Sequence, residues 1–245
     1  MIRYDRKARL LAASLAALAG YVDAIGFLGS GGFFVSFMSG NSTRLGIGIA
    51  DSVRFAMTAS ILIGAFVLGV VAASLAGRMA SVSRQLKVLI IVAVALALAA
   101  SLARIGFPVL TFALVAFAMG AENMLFEADG EIGIGLTYMT GTLVKIGQRL
   151  STALMGEDKW GWVPFLLLWL GLIAGAAAGA SAYSRLGLGG LWPAAAAAFV
   201  LALLVRWVPI DKKSLPFEGG DLAHDVPGTR GRHRLSQGRG VSHSD

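Results

Sequence analysis

The 245-residue chain has no cysteine, and its three histidines, His224, His233 and His243, all lie in the polar stretch after residue 220. This excludes disulfide staples and thiolate metal sites, and it leaves no histidine ligand in the apolar part of the chain. No resident metal, haem or other cofactor is expected. Charge is scarce too, at 14% of residues. There is no Walker loop, dinucleotide fingerprint, nucleophile elbow or zinc helix motif, and no nucleophile stands paired with a base. The chain reads as a non-enzyme.

What remains is apolar. Hydrophobic residues make up 56% of the chain and the mean hydropathy is +0.74, whereas soluble domains run at roughly 45 to 50%. The apolar residues come in blocks of about 18 to 23, the length that crosses roughly 30 Å of hydrocarbon at 1.5 Å per residue. Six spans are predicted, at residues 10–28, 56–77, 86–103, 107–126, 162–184 and 191–208. The net charge of +7 sits largely in the terminal segments and short loops. It reads as the positive-inside topology signal and not as a nucleic-acid footprint.

A polar, glycine-punctuated segment occurs twice, about a hundred residues apart. Val35-Ser36-Phe37-Met38-Ser39-Gly40-Asn41-Ser42-Thr43-Arg44-Leu45-Gly46 reappears as Leu136-Thr137-Tyr138-Met139-Thr140-Gly141-Thr142-Leu143-Val144-Lys145-Ile146-Gly147. Ahead of them, Gly20-Tyr21-Val22-Asp23 has a counterpart in Gly120-Ala121-Glu122-Asn123. Arg3, Arg6, Lys7 and Arg9 before Ala17-Leu18-Ala19 imitate a signal peptide, but cleavage would cut away most of a span that belongs to a duplicated pair. The chain therefore divides into a basic N-terminus (1–9), a first membrane repeat (8–104), a second (107–208) and a tail (209–245) of disordered composition.

The expected fold is an all-α polytopic bundle of six main spans plus two polar membrane-embedded segments, with the two halves related by a pseudo-two-fold. If the polar segments are re-entrant, each half has an odd number of spans and the repeat is inverted, with Arg78, Arg84 and Lys87 inside. If they cross, there are eight parallel-repeat spans and Arg54 and Lys159 lie inside instead. The six-span inverted reading is preferred. Gly171, Gly175 and Gly179 share a helical face, which reads as internal close packing ahead of a homo-oligomer interface. Trp160, Trp162, Trp169, Trp192 and Trp207 mostly fall near span ends, as an aromatic belt requires.

Irregular backbone at membrane depth must be covered by protein or water. Gly40 and Gly141 are the expected helix breaks, with Ser39, Asn41 and Thr43, and Thr140 and Thr142, capping freed amides or binding a ligand. Arg44 and Lys145 would add charge beside the helix starts, where anions bind well. The alternative is that the hydroxyls bond back to their own helices and the two bases snorkel to headgroups. Asp23, Glu122 and Asn123 lie deep in predicted spans. A charge there costs at least about 2.5 to 3.5 kcal/mol, so each carboxylate should be paired, protonated or turned inward. Arg44 and Lys145 are their candidate partners.

Ala19-Gly20-Tyr21-Val22-Asp23-Ala24, Phe34-Val35-Ser36-Phe37-Met38-Ser39-Gly40-Asn41-Ser42-Thr43, Gly120-Ala121-Glu122-Asn123 and Thr137-Tyr138-Met139-Thr140-Gly141-Thr142-Leu143 resemble the YoaK-like bacterial membrane family, the domain of unknown function numbered 1275. That family favours Gln and Ala at the positions of Glu122 and Met124. The resemblance covers about residues 8–208 and implies an integral inner-membrane protein with no established activity. The residues point to a small-molecule secondary transporter, with anions or organic acids as favoured substrates. Its site would lie between the repeats, built from Asp23, Ser39, Asn41, Thr43 and Arg44 with Glu122, Asn123, Thr140, Thr142 and Lys145, and its carboxylates would couple transport to protons. The alternative is a non-transporting interaction or lipid-binding protein whose tail recruits partners.

Overall fold

The computed structural model describes residues 6–78, 83–128, 131–132 and 135–206. The tail at 209–245 and residues 1–5 lie outside the described residues. The described chain is almost wholly helical: α1 Arg6–Gly29, α2 Met38–Asp51, α3 Val53–Arg78, α4 Arg84–Arg104, α5 Pro108–Glu122, α6 Met139–Leu154, α7 Val163–Leu186 and α8 Leu191–Val205. Single 3-10 turns prolong α5 over Asn123–Phe126 and link α7 to α8 over Gly187–Gly190. Glu127–Ala128 pairs antiparallel with Glu131–Ile132. Pro108 and Pro164 sit in the first turns of α5 and α7, where proline's missing N–H costs nothing and its fixed φ starts a helix.

Among the described residues, five helical segments are long and apolar enough to cross a membrane: α1, α3, α4, Pro108–Phe126 and the 43-residue stretch Val163–Val205. That last stretch covers the two final expected spans. It turns at Gly187, whose φ of +56 favours a residue without Cβ. The two polar segments form α2 and α6, of 14 and 16 residues. At 1.5 Å per residue they reach about 21 and 24 Å, short of the hydrocarbon thickness.

The ends of the helices fall into two groups. α1 finishes where α3 and α5 begin: Gly29 and Ser30 line one cleft with Thr58, Ile61 and Leu62 and with Pro108, Val109 and Phe112. The Phe33 and Phe55 rings lie 4.6 Å apart. The α7–α8 turn joins the same end, its Gly190 carbonyl accepting the Tyr21 hydroxyl at 3.0 Å. Elsewhere, the α3 end and α4 start are tied by Lys87 Nζ donating to the Ala76 carbonyl at 3.2 Å. Arg84 Nη1 meets Glu127 Oε2 there at 2.6 Å, just beyond the end of α5. α3 and α5 thus run from the first end to the second, opposite to α1.

α1 packs along α7, α3 along α5 and α4 along α8, while α2 lies on α3 and α6 on α7. Glycines set the closest approaches. A Cβ added to Gly175 or Gly179 would collide with the Ala17 or Tyr21 carbonyl of α1, and one on Gly20 with the Leu172 carbonyl of α7. At α3–α5, Gly69 meets the Phe117 carbonyl and Gly120 the Phe66 carbonyl in the same way. In lipid, helices gain from close backbone approach what water would otherwise supply by the hydrophobic effect. The outer faces carry Leu68, Val94, Leu98, Phe199 and Leu203. In water these would be a liability; in hydrocarbon they are the required surface.

Candidate functional site

After Ser30 the chain turns back along α1. Gly31 and Gly32 take φ of +75 and +107, left-handed values that a side chain resists. The Val35 side chain then packs on Gly26, and the Val35 and Ser36 N–H groups each donate to Asp23 Oδ1 at 2.8 Å. Asp23 lies six residues before the end of α1, so the loop descends about 9 Å at 1.5 Å per residue. Asn41, fully buried in the first turn of α2, accepts from Phe34 N–H at 3.0 Å and donates to the Phe34 carbonyl at 2.6 Å. Backbone with no helical partner is thus satisfied by two side chains.

A related contact forms ahead of α6. Asn123, at the position matching Asp23, donates to the Met119 carbonyl at 2.9 Å and accepts the Thr137 hydroxyl at 3.0 Å. Thr137 is the residue that matches Ser36. At the aligned positions Asp23 holds Ser36 through its backbone N–H, and Asn123 holds Thr137 through its hydroxyl.

Four expectations are corrected. α2 and α6 run unbroken through Gly40 and Gly141; the irregular backbone lies ahead of Met38 and Met139, because side chains from α1, from α2 and from the turn after α5 satisfy it there. Asp23 is held by backbone N–H groups and not by Arg44. Lys145 Nζ sits 5.7 Å from the Phe165 ring centre and not against Glu122. Finally, Asn41, Glu122, Asn123 and Thr142 are buried and Asp23 partly so, but Ser39, Thr43, Thr140 and Lys145 lie on exposed faces. The residues do not assemble as one ring, since α2 and α6 pack on different helices and form no packed interface with each other. The hydroxyls of Ser42, Thr43 and Thr142 donate to the carbonyls of Met38, Ser39 and Tyr138, four residues back. That local bonding leaves no unmet donor on the exposed Ser42 and Thr43 or on the buried Thr142.

Glu122 is the exception to this satisfaction. It is 0% exposed, and neither carboxyl oxygen has a hydrogen-bond partner. Its matched position in the first half is Val22, equally buried.

Sequence reasoning missed two features. Arg84 pairs with Glu127, although Glu127 reads simply as an end-of-span residue. Arg44 is surrounded by Phe27, Phe33, Phe34 and Phe55, its Cζ 5.5 to 5.9 Å from each ring centre. The clustering of phenylalanines around the polar segment was the available signal.

Long lipid-facing helices around internally bonded polar loops define a polytopic helical membrane protein. The family model described as "Protein of unknown function (DUF1275)" matches residues 11–204, and the chain belongs to that family. It is similar to the UPF0700 transmembrane protein RA0705 of Rhizobium meliloti (strain 1021), 36% identical over 199 residues, covering 81% of this chain and 86% of that one. It also resembles the UPF0700 transmembrane protein YoaK of Bacillus subtilis (strain 168), 33% identical over 154 residues, 59% of this chain and 68% of the relative. No solved structure matches at a significant level.

Proposed function

We propose that the protein is a secondary transporter for a small polar solute in the bacterial inner membrane, built as an inverted repeat, with Glu122 carrying the coupling proton or cation. Helix pairing supports the repeat: exchanging the halves turns α1–α7 into α5–α3 and α2–α3 into α6–α7, and leaves α4–α8 unchanged. The glycine contacts exchange as well. Gly20 touches the residue three before Gly175, and Gly175 the residue three before Gly20; Gly120 and Gly69 do the same with Phe66 and Phe117. α1 ends where α3 begins, so α2 returns to the side it left, which makes its segment re-entrant. Re-entrant segments in inverted repeats are a transporter device, and rocking of one half on the other would alternate access.

Arg6, Lys7, Arg9, Arg78, Arg84, Lys87 and Arg206 gather at the end where α1 starts, against Arg44, Arg54, Arg104 and Arg185 at the other. The end where α1 starts is therefore cytoplasmic by the positive-inside rule. A chain without cysteine is ready for topology mapping. Cysteines replacing Asp51 and Ile105 are expected to react with an impermeant maleimide from outside, and one replacing Glu157 only from inside. Labelling of all three from one side would mean that the polar segments cross.

The observation that carries the transport reading is Glu122: a carboxyl group that the fold does not use, without a partner, inside a spanning helix. Such groups are costly and mark ion or proton routes. In proteoliposomes under an imposed pH gradient, uptake of organic acids is expected to fall at least about tenfold in Glu122→Gln, the loss typical when a proton-transfer group is removed, and to persist in Asp51→Asn. Gradient-driven uptake that is equal in both variants would remove the role.

A further inference from the structure

We propose that Arg44 and its four phenylalanines form a phosphate-binding site at the end of the bundle where α1 finishes. The inference stands apart from the transport reading, because it concerns only this end of the molecule. A guanidinium carries five N–H donors in a planar fork that suits a phosphate. Arg44 is partly buried, yet among the described residues none of these donors meets an acceptor and no carboxylate lies within ion-pair distance. The nearby acids are otherwise engaged or remote: Asp23 Oδ1 is taken by Val35 and Ser36, and Asp51 lies seven residues on and exposed.

The surroundings fix the cation without neutralising it. Ring faces attract a cation but accept none of the in-plane N–H bonds. The rings also support one another, with Phe27 and Phe34 centred 4.8 Å apart, Phe33 and Phe55 4.6 Å and Phe34 and Phe37 5.2 Å. Gly32 completes the wall, since a Cβ there would lie 3.4 Å from Nη1 and 3.5 Å from Nη2. Apolar walls lower the local dielectric and strengthen any charge pair formed there. Arg84 shows the contrast: it has its carboxylate in place. Arg44 presents a positioned fork suited to an oxyanion, at the end of the bundle where the spanning helix α1 finishes and α3 and α5 begin.

That phosphate has two sources, a phospholipid headgroup or the free ion. Native mass spectrometry of the full chain, released from micelles containing equal phosphatidylglycerol and phosphatidylcholine, reads the first. Thermal unfolding against inorganic phosphate reads the second. Wild-type protein should keep phosphatidylglycerol or be stabilised by phosphate, and Arg44→Gln should weaken that binding by about tenfold, as for loss of a charge-assisted bidentate pair. Arg44→Lys should fall between, because it keeps the charge but loses the fork. Phe34→Leu, which keeps the cation and opens the box, should also weaken it. Retention of phosphatidylglycerol alone assigns a lipid, and a response to phosphate alone assigns a solute. Equal binding in wild type and Arg44→Gln, no binding in either, or an equal loss in the exposed same-end control Arg54→Gln overturns the site.

Discussion

Replacing Gly175 by leucine is expected to prevent a stable bundle from forming. A Cβ on Gly175 would fall on the Ala17 carbonyl, and backbone cannot swing aside as a side chain can. α1 and α7 would have to separate along most of their shared length, undoing the matched approaches at Gly20 and Gly179. Overpacking typically costs about 1 to 3 kcal/mol when side chains can adjust; against backbone on both sides the cost should exceed that range. The loss also falls on dispersion contacts, which in lipid no hydrophobic gain replaces. Gly64 is the control, because it lies on the exposed face of α3 with nothing within 4 Å of an added Cβ. Size-exclusion profiles and melting in detergent should show aggregated or strongly destabilised Gly175→Leu beside near-normal Gly64→Leu. A Gly175→Leu protein that melts with the wild type would mean that α1 and α7 are not held by backbone contact.

The spans were legible because hydrocarbon leaves so little choice: an apolar block of the right length must be helical. Residues 56–77 read as a span and α3 runs Val53–Arg78; residues 107–126 read as a span and the helical stretch is Pro108–Phe126. The glycine face of α7 was equally readable, since small residues at helical spacing have one main use in lipid. What failed was local. Gly40 and Gly141 suggested breaks, but glycine only permits a break. The site of the break was decided by acceptors on a neighbouring helix, Asp23 and Asn123, and no spacing rule encodes those. The polar residues were also expected to share one centre because they share a sequence copy. Helical periodicity split them instead, sending Asn41 and Thr142 inward and Ser39, Thr43, Thr140 and Lys145 outward.

Removing the Asp23 carboxylate should release the loop that precedes α2. Asp23 Oδ1 accepts two backbone N–H groups, and in Asp23→Ala both lose their acceptor beside the buried Val35 and Ser36. A buried donor left without its acceptor costs about 1 to 3 kcal/mol, so the two N–H groups together amount to about 2 to 6 kcal/mol. Asp23→Asn keeps an oxygen at the same reach and should lose about half of that. Asn123→Ala should cost less than Asp23→Ala, because the two bonds it breaks, to the Met119 carbonyl and from the Thr137 hydroxyl, are neutral and leave no backbone N–H without its acceptor. The readout is accessibility rather than global melting alone. Ser36 is buried and its backbone N–H donates to Asp23, so Ser36→Cys keeps that backbone bond and should resist a maleimide. In the Asp23→Ala background that cysteine should react readily, with α1 and α7 still packed. Continued protection of Cys at position 36 would mean that the Phe34–Asn41 bonds hold the loop without Asp23, and the duplicated carboxylate and amide would then need another explanation.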